Sequence, residues 1–114
     1  MFFGPIPAEL GKLRKLTNLR ISSNNFSGKI PSLESWRQLQ KLEIQGSGLE
    51  GPIPASISIL RNLQELRISD LSGQGSQFPD LSMMPNMKKL MLRSCNITGT
   101  IPSYISHMSN LRHL

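Results

Sequence analysis

The chain has 114 residues, 38% hydrophobic and 18% charged, with nine Gly and eight Pro; that is room for one domain or a short repeat array, not for a two-domain enzyme, and too apolar for a disordered tail. Thirteen Lys and Arg against seven Asp and Glu give a net charge of +6 without a concentrating basic run, and the single Cys95 excludes an internal disulfide framework or a four-cysteine metal site. The opening MFFGPIPAELGKLRK has no charged segment ahead of a leader-like apolar stretch, and no run reaches the ~18 apolar residues of a membrane span, so this chain by itself is expected neither to enter the secretory route nor to cross a membrane.

Self-similarity governs everything that follows. A partial unit, residues 1–15, comes first; its Gly4-Pro5-Ile6-Pro7 stands 24 residues before Gly28-Lys29-Ile30-Pro31. Rows then start at Leu16, Leu39, Leu63 and Met87, with a partial row at Leu111–Leu114, separated by 23, 24, 24 and 24 residues. The first two read LTNLRISSNNFSGKIP and LQKLEIQGSGLEGPIP. Alternation at Leu19/Ile21, Leu42/Ile44, Leu66/Ile68 and Leu90/Leu92 predicts one short strand per unit with one face buried. Asn24, Ser47 and Cys95 share a column where an inward polar side chain can bond the backbone of the turn that follows; Leu71 falls in that column and cannot. Phe26, Leu49 and Ile97 fill the next layer, and Gly28, Gly51 and Gly99 allow a tight turn behind it.

The pairs Ile30-Pro31, Ile53-Pro54 and Ile101-Pro102 start polyproline or 3₁₀ segments because Pro presets φ. Leu33, Trp36, Ile57, Leu60, Ile105 and Met108 then close the convex side, with Met83 and Met84 expected in its core or at its rim. The third full row, LQELRISDLSGQGSQFP, replaces Gly-x-Ile-Pro by Gly73, Gly75 and a late Phe78-Pro79. Residues 70–86 are therefore expected to form an irregular bulge on the lateral or convex surface. Gly73-Gln74-Gly75 is no phosphate loop, since it lacks a third glycine and a following helix with Lys-Ser/Thr.

The pattern LxxLxLxxNxLxGxIP resembles the plant-specific class of leucine-rich repeat, from Gly4 to Leu114. The resemblance implies an α/β-type leucine-rich-repeat solenoid: a curved right-handed array with one parallel strand per unit and an irregular 3₁₀ convex side. The stretch LEGPIPASISILRNLQELRISDLSGQGSQFPDL with MKKLMLRSCNITGTIPSYISHMSNLRHL is similar to the ectodomain of plant leucine-rich-repeat receptor-like serine/threonine kinases that carry a malectin-like domain. That implies a protein-interaction module on the extracellular side of a plasma-membrane receptor, a glycoprotein acting in signal transduction. No glycine-rich nucleotide loop, His-Arg-Asp or Asp-Phe-Gly motif occurs, so no enzymatic activity, catalytic residue or cofactor is expected of this chain. Paired-cysteine caps are missing too, so it reads as a fragment of a longer receptor. The alternatives are a standalone secreted or intracellular inhibitor or scaffold of the same repeat class, or a truncated gene.

On the concave sheet, residues between the fixed leucines stack in outward columns: Arg20, Glu43, Arg67, Met91 and Asn18, Lys41, Glu65, Lys89, His113. Alternating signs keep such a sheet soluble and in register. Lys88, Lys89, Arg93, Arg112 and His113 have no acid in the last two rows, which makes Arg67, Lys89, Met91, Arg93 and Arg112 the candidate partner-binding face. The expected partner is a protein or peptide ligand, another receptor ectodomain, or an acidic cell-wall glycan. Nucleic acid is not expected, because the basic residues are scattered and lack aromatic partners for base stacking. Asn25-Phe26-Ser27 and Asn96-Ile97-Thr98 are sequons whose Asn25 and Asn96 should point outward as glycan acceptors. Cys95 reads as a buried thiol, and His107 and His113 are too few and too far apart for a metal or a catalytic base.

Overall fold

The computed structural model describes residues 3–4, 12–22 and 25–112; the expectations for Pro5–Pro7, Asn24 and His113 concern residues outside these. Four five-residue strands, β2 (Asn18–Ser22), β4 (Lys41–Gln45), β6 (Glu65–Ser69) and β9 (Lys89–Arg93), form one parallel sheet in chain order. The register runs Leu19↔Leu42↔Leu66↔Leu90 and Ile21↔Ile44↔Ile68↔Leu92. These rows put their apolar side chains on one face, with Leu42, Ile44, Leu66 and Ile68 no more than 1% exposed. A one-residue slip would turn both rows to water.

Each strand reaches its parallel neighbour by crossing the convex side, so the coils stack as the leucine-rich-repeat solenoid expected from the repeat. Leu33, Trp36, Ile57, Leu60, Leu81 and Met84 fill that side, all at most 2% exposed. Short 3₁₀ segments lie at Glu34–Trp36, Ala55–Ile59 and Ser103–His107. Pro54 (φ −61°, ψ 141°) and Pro102 (φ −63°, ψ 147°) hold polyproline values ahead of the second and third of these. Met83, expected in the core or at the rim, is 54% exposed, because it sits in a turn between Leu81 and Met84 and these two point inward. Ile101 is 67% exposed, whereas Ile30 and Ile53 are 7% exposed; a following coil covers the latter two, and none among the described residues covers Ile101.

A second, lateral ladder runs behind the sheet. It comprises β1 (Phe3–Gly4) with β3 (Asn25–Phe26), a bridge Lys29↔Glu50, β5 (Glu50–Gly51) with β7 (Ser72–Gly73), and β8 (Ser76–Gln77) with β10 (Ile97–Thr98), all parallel. The expected bulge over 70–86 is thus more ordered than its sequence implied. The third coil contributes two strands, one pairing backward and one forward, with Gly73-Gln74-Gly75 as the step between them. A Cβ on Gly75 would collide with the Asn96 carbonyl oxygen, so glycine there permits close backbone approach to the next coil. Gly28 and Gly99 turn at positive φ (80° and 89°), but Gly51 does not. Its need is proximity, since an added Cβ would lie 3.0 Å from the Gln74 carbonyl.

The polar column behaves in two ways. Ser47 Oγ accepts the Leu49 N–H at 3.2 Å, as expected of a turn-satisfying side chain, and Leu71 simply packs, 4% exposed. Cys95 is buried, but its Sγ faces the Ile68 carbonyl of the preceding coil at 3.3 Å and the Arg93 carbonyl at 3.2 Å, not the turn that follows.

Candidate interaction surface

Outward residues of the four strands form the columns that the repeat implies: Asn18↔Lys41↔Glu65↔Lys89, Arg20↔Glu43↔Arg67↔Met91 and Ser22↔Gln45↔Ser69↔Arg93. Backbone bonds extend the neighbouring column through Thr17, Gln40, Gln64, Lys88 and Arg112, each N–H reaching the previous carbonyl at 2.7–2.8 Å. Arg112 therefore stands beside Lys88, one coil beyond β9.

Ion pairs cross the coils. Arg20 Nε lies 2.9 Å from Glu43 Oε2, and Glu65 Oε1 sits between Lys41 Nζ (4.0 Å) and Lys89 Nζ (3.7 Å). Exposed pairs of this kind contribute about 0.2–1 kcal/mol each, so they set register and charge pattern more than stability. A depression of about 370 Å³ opens over the first three strands, lined by Asn18, Arg20, Lys41, Glu43, Glu65 and Arg67. Arg67 is half-buried, and no carboxylate among the described residues lies within ion-pairing distance of it.

The five sequence-selected residues divide. Lys89, Met91 and Arg93 project from β9 on one face, with Met91 beside Arg67 in the register. Arg93 and Arg112 are exposed. Lys89 differs from expectation: the last two rows hold no acid, but Glu65 of the preceding coil partly neutralises it. Glu65 stands next to Lys89 in the outward column that the repeat implies; a balance of charge within the last two rows alone leaves it out. Glu43 was visible in its column, yet only the structure places it in the depression.

Asn96 is exposed and left-handed (φ 57°), and its Nδ2 donates to the Gly73 carbonyl at 3.1 Å. For Asn25 the description covers the backbone in β3, and the expectation for its side chain lies outside it. Burial pushes the Cys95 thiol above its ordinary value, against weaker hydrogen bonds that lower it, which makes it a poor nucleophile. Among the described residues, no three His, Cys, Asp or Glu side chains group as a metal site, and no helix is long and apolar enough to cross a membrane. The concave surface presents fixed charges and hydrogen-bonding groups in columns.

Hydrogen bonds that cross the convex side carry no repeat signature. Ser56 Oγ accepts the Leu33 N–H at 2.9 Å, and Tyr104 Oη accepts the Leu81 N–H at 3.0 Å while donating to the Pro79 carbonyl at 2.9 Å. Ser56 and Tyr104 hold the same place, two residues after Pro54 and Pro102, so different side chains perform one bridging task.

Comparison with known proteins agrees with this geometry. A family model described as Leucine Rich Repeat matches residues 15–35 and 86–108. A 48-residue stretch is 40% identical to the receptor-like protein kinase HAIKU2 of Arabidopsis thaliana, covering 42% of this chain and 5% of that protein. The fold is similar, at TM-score 0.69 and 23% identity over 97% of this chain, to the leucine-rich-repeat ectodomain of the plant membrane receptor kinase GASSHO1/SCHENGEN3 from Arabidopsis thaliana. That ectodomain was solved in complex with CASPARIAN STRIP INTEGRITY FACTOR 2, and this chain spans 16% of it. The chain is thus a repeat solenoid similar to part of a plant receptor-kinase ectodomain.

Proposed function

We propose that this chain is part of the extracellular recognition domain of a plant membrane receptor-like serine/threonine kinase of the malectin-like class, where it binds a protein or peptide ligand or a partner ectodomain. One array spans residues 1–114 in this reading, with units near 16, 39, 63 and 87. The carrying observation is a four-strand concave sheet whose outward columns form a continuous polar platform with a basic C-terminal end. The likeness to HAIKU2 supports a receptor context, and the complex formed by GASSHO1/SCHENGEN3 supports ligand binding by an ectodomain of this fold.

Arg67, Met91, Arg93 and Arg112 carry the contact, and Lys89 joins them when a partner carboxylate competes with Glu65. Asn96 and Asn25 accept glycans on the flank. Glycosylation of Asn96 leaves one amide hydrogen on Nδ2, enough to keep its bond to Gly73. Charge reversal at Arg93 and Lys89 tests the reading, by titration with a synthetic acidic peptide at low and at physiological salt. A loss of binding of about tenfold or more, largest at low salt, is expected from two fewer attractive charges and two new repulsive ones. Unchanged binding rejects the patch. Intact mass of a plant-secreted sample shows added hexose if the sequons are used.

A further inference from the structure

At the start of each row of the repeat the chain makes the same turn, closed by Leu16 N–H to Leu13 O, Leu39 to Trp36, Leu63 to Leu60, Met87 to Met84 and Leu111 to Met108, at 3.0–3.3 Å. Equivalent turn positions therefore stack down the corner between the convex side and the sheet. The second position holds Arg14, Arg37 and Arg61, and only then Pro85 and Ser109; the third holds Lys15, Gln38, Asn62, Asn86 and Asn110, all exposed.

Three guanidiniums in one column contrast with the concave columns, where signs alternate and pair. Among the described residues, none of Arg14, Lys15, Arg37 and Arg61 has a carboxylate within 4.0 Å. Arg37 Nε donates to the Glu34 backbone carbonyl at 3.3 Å, which orients the guanidinium and leaves its charge uncompensated. Like charges in adjacent strand positions repel, so folding gains nothing from this ladder. Beyond the third coil the corner is neutral, and Asn110 Nδ2 bridges to the Pro85 carbonyl at 2.9 Å instead.

We propose that this corner is a docking track for a linear polyuronate, an acidic polysaccharide with one carboxylate per sugar. Guanidinium forks match carboxylates two hydrogen bonds at a time. Coil-to-coil spacing, about 4.8 Å at the sheet, is comparable to the length of one sugar ring, so an extended uronate chain running along the column presents carboxylates to several arginines at once. Leu13, 48% exposed between Lys12 and Arg14, adds an apolar contact for a sugar C–H face. Nucleic acid suits the track less well, because Trp36, the aromatic residue adjoining Arg37, is 2% exposed and no base can stack on it. The track is separate from the concave platform and stands whether or not that platform binds a ligand.

Calorimetric titration of the full chain with de-esterified oligogalacturonate, at low salt and at about 0.15 M, tests the assignment. Arg37→Gln with Arg61→Gln is expected to weaken binding about tenfold, while Lys29→Glu, an equal change of charge on an exposed site away from both surfaces, changes it less than about twofold. Arg37→Gln alone, expected near threefold, keeps the test open should the double variant misfold. The fully methyl-esterified polymer is expected not to bind. The track is overturned by equal losses in the arginine double variant and in Lys29→Glu, by undiminished binding of the methyl ester, by tighter binding of a single-stranded oligonucleotide of equal charge, or by no uronate binding at all.

Discussion

The concave sheet and the lateral ladder are built from the same coils and obey different rules. In the sheet, register persists over four strands because two rows of aliphatic side chains, Leu19 to Leu90 and Ile21 to Leu92, bury one face of it. In the ladder, pairing lasts two residues at a time and changes partner inside the third coil. The sheet is held by burial, a summed and forgiving term. The ladder is held by close backbone approach and single hydrogen bonds, each of which can be removed by one atom.

Substitutions that strike one region and spare the other sharpen this contrast. Leu66→Ala has the largest expected effect: a fully buried side chain flanked by its equivalents on both sides leaves a cavity costing about 2–5 kcal/mol. The denaturation midpoint should fall, and protection of sheet amides in β4, β6 and β9 should fall together. Gly75→Ala should cost about 1–3 kcal/mol through overpacking against Asn96. Hydrogen exchange should then rise in Ser72–Gln77 and Ile97–Thr98 while the sheet stays protected; uniform loss would show that the two regions unfold as one.

Tyr104→Phe leaves the Leu81 N–H and the Pro79 carbonyl without their bridge, at about 1–3 kcal/mol. Burial raises the Tyr104 hydroxyl above its ordinary 10.0, so the folded state favours the neutral form. That contribution is complete below pH 10 and is lost as pH rises through the raised value. The wild-type midpoint should therefore drop in strong alkali by more than that of Tyr104→Phe. Glu65→Gln is the smallest perturbation, about 0–1 kcal/mol of stability. It frees Lys41 and Lys89, so affinity for an acidic peptide should rise while the midpoint hardly moves.

The strands, their faces and their order were legible in the 23- and 24-residue row spacing, since a period of two inside a fixed longer period leaves few other packings. Outward columns were legible for the same reason: Arg20, Glu43, Arg67 and Met91 are equivalent by count. The adjacency of Glu65 to Lys41 and Lys89 was legible in the same way; that its Oε1 comes within 4.0 Å of both Nζ atoms was not, because side-chain reach decides it. Met83 and Met84 were expected in the core or at the rim without a choice between them, as composition cannot distinguish an apolar residue that faces inward from one lifted by a turn. The third coil read as irregular because its Gly-x-Ile-Pro element is absent, yet glycine supplied what two partner strands needed.

The sequence by itself determined the repeat, the buried leucine rows and the identity of every outward column, because periodic burial of apolar area is written in spacing alone. Tertiary structure alone decided which charged neighbours come within pairing distance, where Tyr104 and Ser56 bridge, and how residues 71–77 divide between two neighbours. Those outcomes depend on distances of about 3 Å between atoms of adjacent coils, a scale that the order of residues along one chain does not specify.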